Sequence, residues 1–153
     1  SSSVEGKSCS GEKIDNQISI FQAIKTVDEF IYQQSDGYKK EGIAQGQMLN
    51  SKYATLKWLP EKGDGGVFII ALDLSKDLFF IYHAGSSPIN TVFYPGRLDN
   101  KTCSIEFNIT ENEITMLKLD DENNIKIYID YRESSTVDFE RLTSWYFKAK
   151  KPK

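Results

Sequence analysis

The segment from Cys103 to Leu119, CSIEFNITENEITMLKL, decides which fold to expect. Polar and apolar residues alternate on both sides of its centre, which predicts two antiparallel strands joined by a tight turn. Asn108 begins an Asn-Ile-Thr glycosylation acceptor, and a glycan must face water. The alternation therefore predicts an outer face with Ser104 and Glu106, and an inner face with Cys103, Ile105 and Phe107.

The second strand of this pair places an acid on the inner face. If Lys118 faces water, then Glu113 points inward beside Thr115, Leu117 and Leu119. An unpaired acid in an apolar interior costs several kcal/mol. Glu113 is therefore expected either near a rim of the fold or in contact with a ligand.

The composition predicts one globular domain, residues 1–153, with 39% hydrophobic and 12% aromatic residues. A net charge of −3 argues against a nucleic-acid partner, which would require a basic stripe. The basic end KAKKPK is interpreted as a solvated tail. Because no apolar run approaches the roughly 20 residues of a membrane span, we expect no membrane insertion.

The chain has two cysteines, Cys9 and Cys103, and one histidine, His83, so we expect no zinc site and no cofactor. Acceptor sequences at Asn100 and Asn108 indicate a secreted, extracellular protein. In a secreted chain the two cysteines would pair; two free thiols in a cytosolic protein are the alternative. The segment SSSVEGKSCS is typical of a mature N-terminus after cleavage.

Patterns along the chain predict eight strands with a short helix at each end. The first helix is expected in QISIFQAIKTV, and the last in STVDFERLTSWYF, where Phe139, Leu142 and Trp145 would share a face. The run from Ile43 to Leu59 is predicted as one long strand. The predicted strands are DEFIYQQSDGY, Ile43–Leu59, VFIIALDL, LFFIYHA, TVFYPG, the Cys103 and Glu113 strands, and IKIYIDYR.

Eight consecutive antiparallel strands favour an up-and-down barrel, with a two-sheet sandwich as the competing architecture. An eight-stranded barrel is just wide enough for one small ligand. Besides Glu113, the residues expected to line its lumen are aromatic or aliphatic: Tyr32, Tyr38, Phe68, Ile70, Phe80, Tyr82, Phe107, Leu117, Ile127 and Ile129.

Enzymatic activity is not expected. His83 has no nucleophile motif near it, and no cysteine remains once Cys9 and Cys103 pair. The acidic turn Asp120–Glu122 lacks the ligand spacing of a calcium loop. The GDGG at residues 63–66 is interpreted as a hairpin turn, because no Lys-Ser/Thr follows it.

Several of these segments together resemble tick salivary lipocalins. CSGEKIDNQISIFQAI is similar to the family's N-terminal segment, and FIYQQSDGY follows where the first strand begins. Cys103 resembles the family's mid-barrel cysteine, and the predicted final helix also fits. The resemblance implies a lipocalin-like barrel that traps a small host molecule, with a lipid or sterol mediator favoured here. It also implies, as an alternative, a scaffold that binds a host immune protein.

Amine-binding members of that family resemble one another through Cys-Asp-aliphatic, a short spacer, Glu-Leu-Trp/Tyr and a later cysteine. Here Cys103, Ile105 and Glu113 match, whereas Ser104 and Thr115 replace the expected acid and aromatic residue, and no cysteine follows. The remaining match implies a second alternative, a histamine or serotonin scavenger whose ammonium partner is Glu113.

Overall fold

The structure, a computed structural model, describes residues 19–24, 27–35, 39–62, 65–73, 78–84, 94–99, 101–119, 122 and 124–152. Within these ranges the protein is mainly β, with antiparallel strands and one short helix, α1, at residues 19–24. The strands are β1 (Val27–Ser35), β2 (Lys39–Met48), β3 (Tyr53–Pro60), β4 (Gly66–Asp73), β5 (Leu78–Ala84), β6 (Tyr94–Asp99), β7 (Ser104–Thr110), β8 (Glu113–Leu119), β9 (Ile125–Tyr131) and β10 (Glu140–Pro152).

Each strand pairs antiparallel with the next strand in sequence, and β1 also pairs with β10. The ten strands thus form a closed barrel in up-and-down order. The pairing of β5 with β6 is short: Phe80 lies opposite Pro95 and Ile81 opposite Tyr94. The expected antiparallel β class and the short N-terminal helix are confirmed, whereas the expected count of eight strands is wrong.

One additional strand comes from the predicted long strand Ile43–Leu59, which the structure divides into β2 and β3. The chain reverses at Leu49–Lys52, where Oδ1 of Asn50 accepts hydrogen bonds from the backbone N–H of Lys52 at 2.8 Å and of Tyr53 at 3.0 Å. An asparagine side chain that bonds the backbone two residues ahead imitates a tight turn. The Asn-Ser dipeptide at 50–51 was the available signal.

The other additional strand replaces the predicted C-terminal helix, which is wrong. Residues Glu140–Pro152 form β10, in which Thr143, Trp145 and Phe147 are buried and their neighbours are more exposed. A period of two with β-branched and aromatic residues is a strand signal. Pairing of β10 with both β1 and β9 closes the barrel, and burial in that position overrides helix propensity.

The core is formed by the inward side chains of the barrel and extends to α1. Ile20, Phe21, Ala23 and Ile24 of the helix belong to the same buried cluster as the inward side chains of the strands. Along β3, the alternate residues Ala54, Leu56 and Trp58 are buried. The other inward members are Ala44, Phe68, Ile70, Ile105, Phe107, Leu117, Ile125, Ile127, Ile129, Trp145 and Phe147.

Strand β7 follows the predicted alternation with one exception. Ile105 and Phe107 are fully buried and Asn108 is exposed, as expected. Ser104, predicted to face water, is buried, and its hydroxyl lies 2.6 Å from that of Thr102. A hydroxyl with a hydrogen-bond partner can leave water at little cost, so the polar residue does not mark an exposed position here.

Candidate ligand-binding site

The antiparallel order places alternate turns at opposite ends of the barrel. One end, the Glu113 end, has the turn Glu111–Asn112 and the loop of residues 132–139. The other end, the Cys103 end, has α1, the turn Leu49–Lys52 and the turn Lys101–Cys103. A ligand inside the barrel would therefore meet different chemistry at each end.

Near the Glu113 end, two buried threonines flank a buried isoleucine on the inner wall. Thr115 of β8 and Thr143 of β10 both lie opposite Ile129 of β9. The register places the two threonines two strands apart, roughly 10 Å along the wall. We call Thr115 and Thr143 the threonine pair. Both hydroxyls are buried on an otherwise apolar wall. Binding sites for small molecules are typically apolar with a few such polar groups.

Two apolar rows continue the inner wall from the threonine pair towards the Cys103 end. The first is Leu117, Ile127 and Trp145, and the second is Leu119, Ile125 and Phe147. Apart from Leu119, which is partly buried, these side chains have almost no exposed surface. Apart from the buried indole nitrogen of Trp145, the wall thus changes from hydroxyl-bearing to apolar within two residues.

Glu113 begins β8 at the rim, on the same face as Thr115 and Leu117. Its side chain is partly buried, and it lies opposite Tyr131, which is exposed. The rim position explains how the inward-facing acid is tolerated, because water still reaches it. Of the two expectations for Glu113, the rim is observed, and contact with a ligand stays a prediction.

Four aromatic rings meet in the interior. Trp58 of β3 stacks on Phe68 of β4 with ring centroids 4.6 Å apart, and Trp145 of β10 meets both rings edge-on at 5.7 and 5.2 Å. Phe147 completes the group at 6.3 Å from Phe68. Offset and edge-to-face geometries are the favourable ones for such pairs. This aromatic cluster occupies part of the interior between β3, β4 and β10.

The structure places most of the predicted lumen residues in the core. Phe68, Ile70, Phe107, Leu117, Ile127 and Ile129 are all buried. Tyr32 lies in register with Gly42 and Phe147, but its side chain is outside the described part, and Tyr38 lies wholly outside it.

The register of β5 against β4 bears on two of the predicted lumen residues, Phe80 and Tyr82. Phe68 and Ile70 lie opposite His83 and Ile81, whereas Phe80 lies opposite Ala71 and Tyr82 opposite Ile69. The backbone register therefore pairs Phe80 with the buried Ala71 and Tyr82 with the partly buried Ile69, and not with the predicted lumen residues Phe68 and Ile70. Their side chains are not described.

Sequence reasoning missed the inward role of Thr143, Trp145 and Phe147. All three fell in the predicted C-terminal helix, which assigned them to helical faces. The alternation Thr143, Trp145, Phe147, Ala149 was the signal that could have found them.

At the Cys103 end, the chain turns tightly before β7. Cys103 has a φ of 54°, a left-handed conformation that costs an L-residue about 1–2 kcal/mol. The turn is held by Asp99, whose Oδ1 accepts a hydrogen bond from the N–H of Lys101 at 2.9 Å. That bond and one from Thr102 lower the pKa of Asp99, and partial burial opposes the change.

Cys103 is bonded in a disulfide. The only other cysteine of the chain, Cys9, lies outside the described residues, so the pairing of the two stays a prediction. Asn108 is exposed, as a glycosylation site requires, whereas Asn100 is not described.

Within the described ranges, no group of three or more His, Cys, Asp or Glu side chains could hold a metal ion. No helix within the same ranges is long and apolar enough to cross a membrane.

Comparison with protein-family models gives no match for this sequence, and comparison with curated proteins gives none either.

Proposed function

We propose that this protein is a secreted, lipocalin-like barrel that sequesters a small hydrophobic or amphipathic host molecule, with a lipid or sterol mediator as the favoured class. The observation that carries the proposal is the inner wall formed by the threonine pair and the two apolar rows beyond it. An apolar wall with two hydroxyls offers burial to a hydrocarbon body and a hydrogen bond to its polar end.

The width of the barrel is consistent with a ligand site. Barrel diameter grows with strand number, and eight strands already suffice to hold one small ligand. Ten strands surround the interior here. Part of the wall consists of small buried residues, namely Ala44, Gly46 and Ala54. The disulfide at Cys103 agrees with secretion, because such bonds persist in oxidising compartments.

The experiment compares binding of a fluorescent fatty acid to wild-type protein and to Thr115→Val and Thr143→Val. Loss of one hydrogen bond to the polar end, about 0.5–1.5 kcal/mol, should weaken binding by about two- to tenfold. Thr55→Val is the matched control, since Thr55 lies on β3 between the inward Ala54 and Leu56 and so faces outward.

Native mass spectrometry of purified protein shows whether a ligand is already bound. Binding of a panel of eicosanoids and sterols then shows whether the interior accepts such molecules. Protein that is empty as purified and binds none of the panel would refute the proposal. Equal affinities for wild type and both threonine variants would remove the threonine pair from the site.

The amine-scavenger alternative rests on Glu113 and can be separated by one substitution. Glu113 lies on the wall two residues before Thr115, where it could pair with an ammonium group above the hydroxyls. Calorimetry with histamine and serotonin should then show that Glu113→Gln loses most of the affinity. Glu111→Gln, an exposed acid in the adjacent turn, serves as the control.

The protein-binding alternative has an observation of its own. Ile31, Ile43 and Leu59 lie opposite one another on β1, β2 and β3 and are all about two-fifths exposed. Apolar side chains aligned on an outer face can take part in a protein contact. If the barrel is a scaffold for a host immune protein, Ile43→Lys should abolish capture of that protein from serum and leave fatty-acid binding unchanged.

A further inference from the structure

A groove of about 520 Å³ lies on the outside of the barrel at the Glu113 end. It lies between the outer face of the β7–β8 hairpin and the loop of residues 132–139. Its lining consists of Asn108, Thr110, Glu111, Ile114, Arg132 and Phe139. Volumes of roughly 300–1,000 Å³ are typical of sites that hold small ligands.

Two of the lining residues form the acceptor sequence itself. Asn108 and Thr110 are the first and third residues of Asn-Ile-Thr, and both are exposed. Asn108 lies directly opposite Ile114 in the register of β7 and β8, so their side chains are neighbours on the outer face. A sugar joined to Asn108 would therefore begin inside the groove.

The far wall of the groove is held in place by Arg132. Its Nε and Nη2 donate to the carbonyl oxygen of Glu111 at 3.0 and 2.6 Å, and its backbone N–H donates to the carbonyl of Asn112 at 2.9 Å. The guanidinium also lies 4.4 Å from the centre of the Phe139 ring. These contacts fasten the loop to the β7–β8 turn, so the groove is formed before any ligand arrives.

We propose that this groove is the seat of the first sugars of an N-linked glycan on Asn108. Ile114 and Phe139 offer apolar surface to the C–H face of a pyranose ring, and Glu111, Thr110 and Arg132 offer polar partners to its hydroxyls. The covalent link gives the sugar a high effective concentration in the groove, so weak contacts suffice to hold it. The inference rests on the secretion that the proposed function includes.

The modification itself is an ordinary group transfer to Asn108. Its amide nitrogen Nδ2 attacks the anomeric carbon of an oligosaccharide carried on a lipid pyrophosphate. A carbon–nitrogen bond forms, the bond from that carbon to the pyrophosphate oxygen breaks, and the amide loses one proton. The lipid pyrophosphate leaves with the bonding electron pair.

The test uses full-length protein secreted from a eukaryotic cell line, in which intact mass reports occupancy of Asn108. Asn100→Gln isolates the glycan on Asn108, and release by a peptide N-glycosidase is followed on native protein. The glycosidase should release the glycan from Phe139→Ala about fivefold faster than from wild type. A fivefold change corresponds to roughly 1 kcal/mol of lost contact between the glycan and the groove. Val137→Ala is the matched control, an exposed residue of the same loop that does not line the groove.

A second measurement needs no variant. Hydrogen exchange in residues 132–139 should be slower in glycosylated wild-type protein than in the same protein after glycan removal. The proposal is wrong if hydrogen exchange is the same with and without the glycan and the glycan is released equally fast from wild type and Phe139→Ala. That outcome would not contradict secretion of the protein. Secreted protein without a glycan on Asn108 would also overturn the proposal. Fatty-acid binding by unglycosylated bacterial protein tests the barrel function separately, so the two failures can be told apart.

Discussion

Trp58 and Trp145 meet inside the barrel with ring centroids 5.7 Å apart and planes at 62°, although they come from strands separated by two others. Strands β3 and β10 lie roughly 14 Å apart along the sheet, because β2 and β1 stand between them. The two side chains therefore join parts of the barrel that share no backbone hydrogen bonds. This contact links the N-terminal half of the chain to the strand that closes the barrel.

Removal of Trp58 should destabilise the barrel strongly. Trp58→Ala leaves a cavity beside Phe68 and Trp145, and such a change typically costs about 3–5 kcal/mol of the free energy of unfolding. Leu59→Ala, the next residue on the outer face, should change it by only about 0.5 kcal/mol. Urea unfolding of both variants measures the difference, and equal losses would show that the aromatic cluster is not a core element.

Gly42 should tolerate no side chain. A Cβ at Gly42 would lie 2.1 Å from the carbonyl oxygen of Leu59 and 2.8 Å from the Cα of Pro60, both in the backbone of β3. Gly42→Ala must push β2 and β3 apart, and we expect a loss of at least about 1–3 kcal/mol in urea unfolding. Gln45→Ala on the exposed face of β2 is the control. A Gly42→Ala protein as stable as that control would contradict the close approach.

Asp99 should make stability depend on pH at the acid end. Hydrogen bonds from the Lys101 N–H and from Thr102 lower the pKa of Asp99 below its ordinary value of 3.8. The contribution of ionised Asp99 to the free energy of unfolding is therefore fully present above pH 3.8. It is lost as the pH falls through the lower pKa that Asp99 has in the folded protein. Asp99→Asn keeps the acceptor oxygen but cannot titrate.

The stability advantage of wild type over Asp99→Asn should thus shrink as the pH falls below about 4 and stay constant at neutral pH. Thermal unfolding across that range measures it. A difference that grows as the pH falls would reverse the assigned sign.

The disulfide at Cys103 should join it to Cys9 and stabilise the fold. Peptide mapping without reductant should give one linked peptide that contains both cysteines. Reduction should then lower the free energy of unfolding by about 2–5 kcal/mol, because the open chain gains conformational freedom. Alkylation of both thiols in unreduced, freshly secreted protein would refute the pairing.

The sequence by itself determined the antiparallel β class, the N-terminal helix and the inner face of β7. The helix follows from apolar residues at helical spacing, and the inner face of β7 follows from local alternation, which is strict at Ile105 and Phe107. A side chain on a strand changes face at every residue, so one buried member fixes the others. The rim position of Glu113 was likewise one of two outcomes that the pattern allowed.

Only the tertiary structure decided the strand count and the C-terminal element. Residues Phe139, Leu142 and Trp145 fit a helical face, whereas the alternation from Thr143 to Ala149 fits a strand, so the local pattern allowed both. Pairing with both β1 and β9 made the segment a strand. The threonine pair exists for the same reason, because Thr115 and Thr143 are 28 positions apart in sequence and become neighbours only through Ile129. Register between distant strands is set by closure of the barrel and burial of one face, and no single segment contains that information.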